Sequence, residues 1–435
     1  MFTTFRNAWK VPELRNKILY TLLIILIYRI GCHIPVPFLD TTVLGSMISD
    51  GGSFLSYMDI LSGGALSKGT LFALAIQPYI NASIIVQLLT YALPPLENLQ
   101  KEGEEGRKKL NMITSFVSLG IALIMSYAYY VTQRNNGAVL YTSGAAGVFT
   151  AIVIIAAFTA GASLVVWLGN RINDKGIGNG ISMILFAGIV SRGPSSVLSM
   201  FELIKSDKKY ILIVPIVLIV FVAMIGFIVF MNESERRIPI QYAKRVVGRK
   251  QYGGQSTHIP VKVCMSGVMP IIFAMAFMSL PSTIGMFKGP YTAPSGFWQR
   301  FYNGFLNFFS TQSFSYAVIY FILIIAFNYF YVSMQYNPVE MANQLRQNNG
   351  GIPGIRPGKP TSDYIQRVLS KITLVGAIFL GIIAIFPIFL GMADNNLRSL
   401  SMGGTTMLIV VSVALETVRT LESQMMMRHH KGFLE

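Results

Sequence analysis

Residues 211–231 read ILIVPIVLIVFVAMIGFIVFM, a run with no charged and no polar side chain. A helix of roughly 20 apolar residues spans the ~30 Å hydrocarbon core of a bilayer. In water the same helix would expose apolar surface on every side, so this stretch predicts a transmembrane span. Runs of the same character lie at 18–36, 71–92, 110–131, 147–168, 263–284, 316–335 and 372–390. Two further candidates are weaker. Residues 404–421 carry Glu416 near their end, and 177–198 open with Gly176, Gly178 and Gly180 and are strongly apolar only over 181–190. Such a short apolar core suits a helix inside a bundle that touches little lipid. A β-barrel is excluded, because its strands alternate over ~10 residues instead of running apolar for 20.

The composition agrees. Of 435 residues, 53% are apolar and only 12% charged, with a net charge of +16; an ordinary soluble chain has about 25% charged residues. A soluble enzyme of this make-up would expose large apolar patches, and a disordered chain would not carry them. Nucleic-acid binding is a poor account of the basic excess, because a membrane protein gathers Lys and Arg on one side. The alternate loops beginning with the N-terminus hold 25 of the 35 basic residues and the other loops 9, counting Arg419 and Arg192 at span ends with their adjoining loops, and Arg29 lies within a span. This predicts ten spans with both termini cytoplasmic, although Lys205, Lys208 and Lys209 dissent in an outer loop. The basic N-terminus resembles a secretory signal, but no small-x-small cleavage site follows, so 18–36 reads as an uncleaved span. Five spans per half means the second half enters from the opposite side, the arrangement of an inverted repeat. The halves are expected at 1–198 and 199–435.

Familiar enzyme signals are missing from the sequence. Gly358-Lys359 is followed by Pro360 and lacks the upstream glycine of a phosphate-binding loop. Neither HExxH nor GxSxG occurs, and the four histidines have no zinc spacing. Cys32 and Cys264 read as apolar filler without a disulfide. Within the spans, Arg29 either snorkels or bonds a neighbouring loop, and Glu416 sits near water at a helix end. A coupled transporter buries several ionisable groups along a relay.

Some stretches do not read as lipid-facing helix. Residues 54–69 are too short to span and are broken by Gly63-Gly64. They suit either an interfacial helix outside or a re-entrant segment in a vestibule. The second span carries Gln77, Asn81, Ser83 and Gln87 on one side, a polar ladder that serves as helix–helix glue or as a channel wall. The cytoplasmic loops 232–262 and 336–371 mix basic, apolar, Gly and Pro residues. They read either as plain positive-inside charge or as a docking surface for a large soluble partner, with Arg forking onto carboxylate or phosphate.

The chain also resembles, over nearly its whole length, the SecY family of bacterial protein-conducting channels. The residues that carry the resemblance are Tyr28-Arg29-Ile30-Gly31 with Ile34-Pro35-Val36-Pro37, Ser62-Gly63-Gly64-Ala65-Leu66, and Gln77-Pro78-Tyr79-Ile80-Asn81-Ala82-Ser83-Ile84-Ile85. Gly176-Ile177-Gly178-Asn179-Gly180-Ile181-Ser182, Gln255-Ser256-Thr257-His258-Ile259-Pro260, Pro353-Gly354-Ile355-Arg356-Pro357-Gly358 and Gly403-Gly404-Thr405 complete the series. Two mild departures are Gln77, where the family often has Met, and Leu185, where Ile or Val is common.

The resemblance implies an all-α membrane protein of ten transmembrane helices, in two inverted five-helix halves around a central pore. It implies a pore ring of Ile76, Ile80, Ile181, Leu185, Ile272 and Ile409. A short re-entrant plug helix would seal the outer vestibule, with Asp59, Ile60, Leu61, Ser62, Gly63 and Gly64 at its centre. Membrane segments would leave between the second, third, seventh and eighth helices, and Asn81, Ser83, Gln87, Ser282 and Thr283 are assigned to that lateral gate by inference. Arg249, Lys250 and Arg356 would engage the SecA ATPase or a translating ribosome.

The implied membrane partners are SecE and SecG, the implied substrates signal peptides and unfolded polypeptides, and the implied location the bacterial plasma membrane. No cofactor and no nucleotide site of its own is expected. A ring of aliphatic side chains suits a moving polypeptide, because it binds no passing side chain strongly and dewets when empty. The rival reading is a secondary transporter with a 5+5 inverted repeat.

Overall fold

The computed structural model describes residues 2–49, 54–206, 209–242, 245–247, 250–252, 256–287, 296–310, 313–393 and 403–429. The first part of the chain forms α1 (Phe2–Lys10), α2 (Pro12–Gly31), α3 (Thr41–Ser49), α4 (Phe54–Leu61), α5 (Gln77–Ala92), α6 (Pro94–Lys101), α7 (Glu104–Asn135), α8 (Gly144–Lys175), α9 (Gly180–Ser191) and α10 (Gly193–Ser206). It continues through α11 (Tyr210–Glu233), β1 (Glu235–Tyr242), β2 (Arg245–Val247), β3 (Lys250–Tyr252), β4 (Ser256–Lys262), α12 (Met269–Phe287), α13 (Phe297–Phe308) and α14 (Phe314–Gln335). The remainder is α15 (Pro338–Gln347), β5 (Gly350–Gly351), α16 (Lys359–Ala393) and α17 (Gly403–His429).

Each expected span is occupied by helix. Among the described residues, six helices are long and apolar enough to cross a bilayer, or seven if the bent pair α5–α6 counts as one. The others fall short for local reasons. The 20 residues of α2 include Arg15, Lys17 and Arg29. Helix α5 has only 16 residues, and the described apolar stretch of α12 ends at Pro281. Helix α17 carries Glu416, Arg419 and Glu422. The expected second span begins late, because residues 71–76 form successive turns with Ala75 at φ +45°. Pro78 then stands in the first turn of α5, where its missing N–H costs nothing. At the other end, Leu93 is extended ahead of Pro94, and α6 leaves at 99° to α5.

Helix α11 shows how such a helix is solvated. Val214, Val217, Phe221 and Ile228 are buried, while Leu212, Ile219 and Val222 are exposed on the other side, where lipid lies. In the first half α5 packs on α7, α7 on α8, and α8 on α9; in the second α12 packs on α14, α14 on α16, and α16 on α17. Contact between the halves runs through α12 against α5 and α7, and through α17 against α9 and α1.

The long loops are ordered by each other. β1 pairs antiparallel with β4, placing Ile238 opposite Ile259, and β5 from the second loop pairs with β1, placing Gly351 opposite Gln241. Ile238 and Ile240, two apart and so on one face, join Val261, Leu345, Ile352, Ile365 and Leu369 in a separate apolar core. The loops therefore form one folded body, which their separate readings in sequence did not foresee.

Candidate functional site

The 54–69 segment is not a loose connection. Helix α4 ends at Leu61, and the chain turns back through Gly63 at φ +69° and Gly64 at φ +86°, a conformation that other residues enter only with strain. The Asp59 carboxylate is buried and fixes this turn from inside. Its Oδ1 accepts the Ser67 amide at 2.7 Å, and its other oxygen pairs with Arg192 just beyond α9. The Asp59 carbonyl accepts the Gly64 amide at 2.8 Å and the Ser62 hydroxyl at 3.0 Å. Tyr129 of α7 donates to the Leu66 carbonyl at 3.1 Å.

From the first span, Arg29 Nη1 donates to the Gly63 carbonyl at 3.4 Å, so its charge bonds a neighbouring loop as one of its two readings held. Beside it the Tyr28 hydroxyl reaches the Ser62 carbonyl at 3.5 Å, and its ring stacks on Phe72 with centroids 5.7 Å apart. Gly188 of α9 lets the segment approach closely, because a Cβ there would collide with the Leu61 carbonyl. Among the six residues expected in the plug, Asp59, Leu61, Ser62 and Gly64 are buried, while Ile60 and Gly63 are partly exposed.

Below this seat lies aliphatic packing. Ile76, Ile80 and Leu185 belong to one buried cluster, which also contains Leu61, Ile84 and Ile184; Ile181 and Ile272 pack against it. Ile409 lies in the adjoining cluster of the second half, and Ile272 touches both. The positions expected in the ring are thus brought together as five about one cluster, with the sixth joined to them through Ile272. The Gly-rich stretch before α9 is fastened by Asn179, whose side chain caps the helix by accepting the Ile181 amide at 3.1 Å. Asn173 accepts the Gly180 amide at 2.7 Å, and Thr21 of α2 accepts the Ile177 amide at 3.1 Å.

Of the polar ladder, Asn81 lies 3.9 Å from the Met125 sulfur on α7, and Gln87 donates to Ser83 at 3.1 Å. Gln87 also approaches the hydroxyl of Tyr331 on α14, across the line where the halves meet. Phe273 of α12 packs edge-on against Phe327 and Tyr331, and Tyr91 of α5 against Phe330. The side chains of Ser282 and Thr283 lie outside the described residues, as does Arg249. Lys250 opens β3 opposite Val247. Arg356 is exposed, and its carbonyl accepts the Thr361 hydroxyl at 2.9 Å. Cys32 and Cys264 are both free and buried.

Sequence reading missed Arg192 and Tyr331. Arg192 was counted only as an outer-loop charge, and a tyrosine in an aromatic span carries no signal of its partner. A buried polar node in the second half was missed too, where Asn328 accepts from Ser266 and donates to the Thr373 carbonyl at 2.9 Å. An asparagine within an apolar run was the available signal.

Comparison with known proteins places this arrangement. The SecY family model matches residues 70–418. A protein translocase subunit SecY from Mycobacterium bovis is 39% identical over 448 aligned positions that cover all of both chains. One from Streptomyces griseus is 40% identical, again over the full length of both. Among solved structures, one described as a protein conducting channel aligns over 96% of each chain at TM-score 0.61 and 19% identity. Another, described as showing that the SecY plug domain stabilizes the closed state of the translocation channel and maintains a membrane seal, aligns over 96% of each chain at TM-score 0.60 and 18% identity. The structures show a shared fold, and the full-length sequence match shows descent: the chain belongs to the SecY family.

Proposed function

We infer that the protein is the channel subunit of a protein translocase, membrane-embedded and not itself an enzyme. It passes unfolded polypeptides across the membrane and releases hydrophobic segments sideways into it. The observation that carries this reading is the joining of the 54–69 segment to the aliphatic cluster, with Leu61 packed among Ile76, Ile80 and Leu185. A removable seal over a greasy constriction suits a conduit for extended chains, because the closed constriction excludes water and ions without offering a passing chain a strong binding site.

In this reading Ile76, Ile80, Ile181, Leu185, Ile272 and Ile409 form the constriction, and residues 54–69 are the plug. The parallel order of packing in the two halves supports the inverted 5+5 arrangement, with the halves at 1–198 and 199–435. The lateral exit opens where α5 and α7 meet α12 and α14, with Tyr331 added to the expected seam residues Asn81, Ser83, Gln87, Ser282 and Thr283. Arg356, exposed between turns at Gly354 and Gly358, is the docking residue for the SecA ATPase or a translating ribosome, together with Arg249 and Lys250 on the first loop. SecE and SecG are the membrane partners, and signal peptides the first segments to engage the seam. The location is the bacterial plasma membrane with both termini cytoplasmic, as the charge asymmetry supports.

The test is crosslinking. Single Ile80→Cys and Ile272→Cys variants, reconstituted and engaged with a stalled secretory chain, should crosslink to that chain. Crosslinks confined to lipid-facing controls such as Leu212→Cys would overturn the pore assignment.

A further inference from the structure

Helix α13 joins α12 to α14 at the end of the bundle opposite the sheet, and among its residues none is buried. At 100° per residue, Phe297, Phe308, Phe301, Phe305 and Trp298 fall within one arc, while Gln299, Asn303, Asn307 and Arg300 fall on the other side. Phe297 and Trp298 are 76% and 77% exposed, and Phe301 and Phe308 are 59% and 49% exposed. The Phe301 ring lies 6.5 Å from that of Phe297 and 6.3 Å from that of Trp298, so these rings form a continuous patch.

We propose that α13 is an interfacial helix whose aromatic face is embedded in the leaflet opposite the cytoplasmic sheet. The aromatic face carries no charge, and the opposite face holds three amides and one arginine, a pattern that lies flat at the boundary between headgroups and acyl chains. The patch continues the lipid-facing surface of the spans. Phe314, which opens α14, is 66% exposed and stands 6.2 Å from the ring of Phe389 on α16, itself 46% exposed.

The placement has a functional consequence. α12 and α14 supply Phe273, Phe327 and Tyr331 to the junction with the first half, and α13 ties their outer ends together. Leu306 holds α13 against α12, lying 3.1 Å from where a Cβ on Gly285 would stand. Anchoring α13 in the interface therefore fixes the depth of the α12–α14 wall while α5 and α7 move against it. The membrane anchoring itself depends only on the protein being embedded, not on the channel reading.

The chain has three tryptophans, Trp9, Trp167 and Trp298. A Trp9→Phe, Trp167→Phe variant reports α13 alone. In phosphatidylcholine vesicles, lipids brominated near the headgroup end of the acyl chain should quench Trp298 roughly twofold or more, with little quenching by aqueous iodide. Strong iodide quenching without bromolipid quenching would overturn the proposal. Protection from both quenchers would overturn it as well, since it would place a protein surface, such as a second copy, on the patch. A nitroxide on Phe301→Cys in the chain with all three tryptophans gives the second measurement. Its accessibility to oxygen should exceed that to a water-soluble nickel complex, and the reverse order would also overturn the proposal.

Discussion

Asp59 in the last turn of α4 and Arg192 just beyond α9 form an ion pair, with side-chain exposures of 2% and 34%. The asymmetry sets their roles. Arg192 can reach water without its partner, whereas the Asp59 carboxylate cannot. An uncompensated buried charge is the costly half of a broken pair.

Arg192→Gln should therefore loosen the 54–69 segment more than Asp59→Asn does. Asparagine keeps an oxygen that can accept the Ser67 amide while removing the charge. The coupling between the two positions should fall at about 0.5–3 kcal/mol. Resting ion conductance of reconstituted channels measures it: Arg192→Gln should leak most, and the double variant should resemble Asp59→Asn. Equal, unaltered conductance in all three would remove the latch role.

Gly188→Ala should act from the opposite wall. Its methyl group collides with the Leu61 carbonyl, a backbone atom that moves only with the whole segment. Overpacking of this kind costs about 1–3 kcal/mol. Ion leak should rise in this variant as it does on deletion of residues 57–67, while an unchanged resting conductance in both would refute the plug assignment.

Tyr331→Phe removes the hydroxyl that Gln87 approaches and leaves the ring packed on Phe273. A polar contact between membrane helices is worth roughly 0.6 kcal/mol, about a threefold change in an opening equilibrium. A marginally hydrophobic test segment should accordingly partition into the bilayer about threefold more often. Gln87→Leu should give a similar gain, and the two together no further gain; additive effects would mean that the residues act separately.

Arg356→Glu should block ATPase-driven export while the protein stays folded in the membrane. The side chain is exposed, and its loop is held through backbone groups, among them the Arg356 carbonyl that accepts from Thr361. Export assays with inverted vesicles, alongside detergent extraction and gel filtration, separate docking from folding. Normal export would remove the docking role.

Much of the fold was legible because its cause is local. An apolar run such as 211–231 is driven into lipid by its own composition, whatever surrounds it. Pro78 restricts its own backbone, but the apolar run places it inside a span from 71, whereas the structure starts α5 at Gln77. The family motifs add the Gly63-Gly64 turn, whose left-handed backbone is written in the residue type. Even the uncertain Arg29 was narrowed to two readings, and the Gly63 carbonyl decides between them.

The remainder depended on neighbours far along the chain. Asp59 and Arg192 are 133 residues apart, and nothing in either local sequence indicates that α4 rests on α9. Gln87 has many polar candidates within reach of a helix surface, and only the approach of α14 to α5, where Phe330 meets Tyr91, brings Tyr331 near it. The two long loops read as separate until β5 pairs with β1, a register set by the helices that bring Gly351 beside Gln241. Sequence alone marked long apolar segments such as α11 for the membrane, because that free energy is summed residue by residue along each segment. Tertiary structure alone decided which charges are paired and how the 54–69 segment is seated, because pair interactions depend on distances that packing sets.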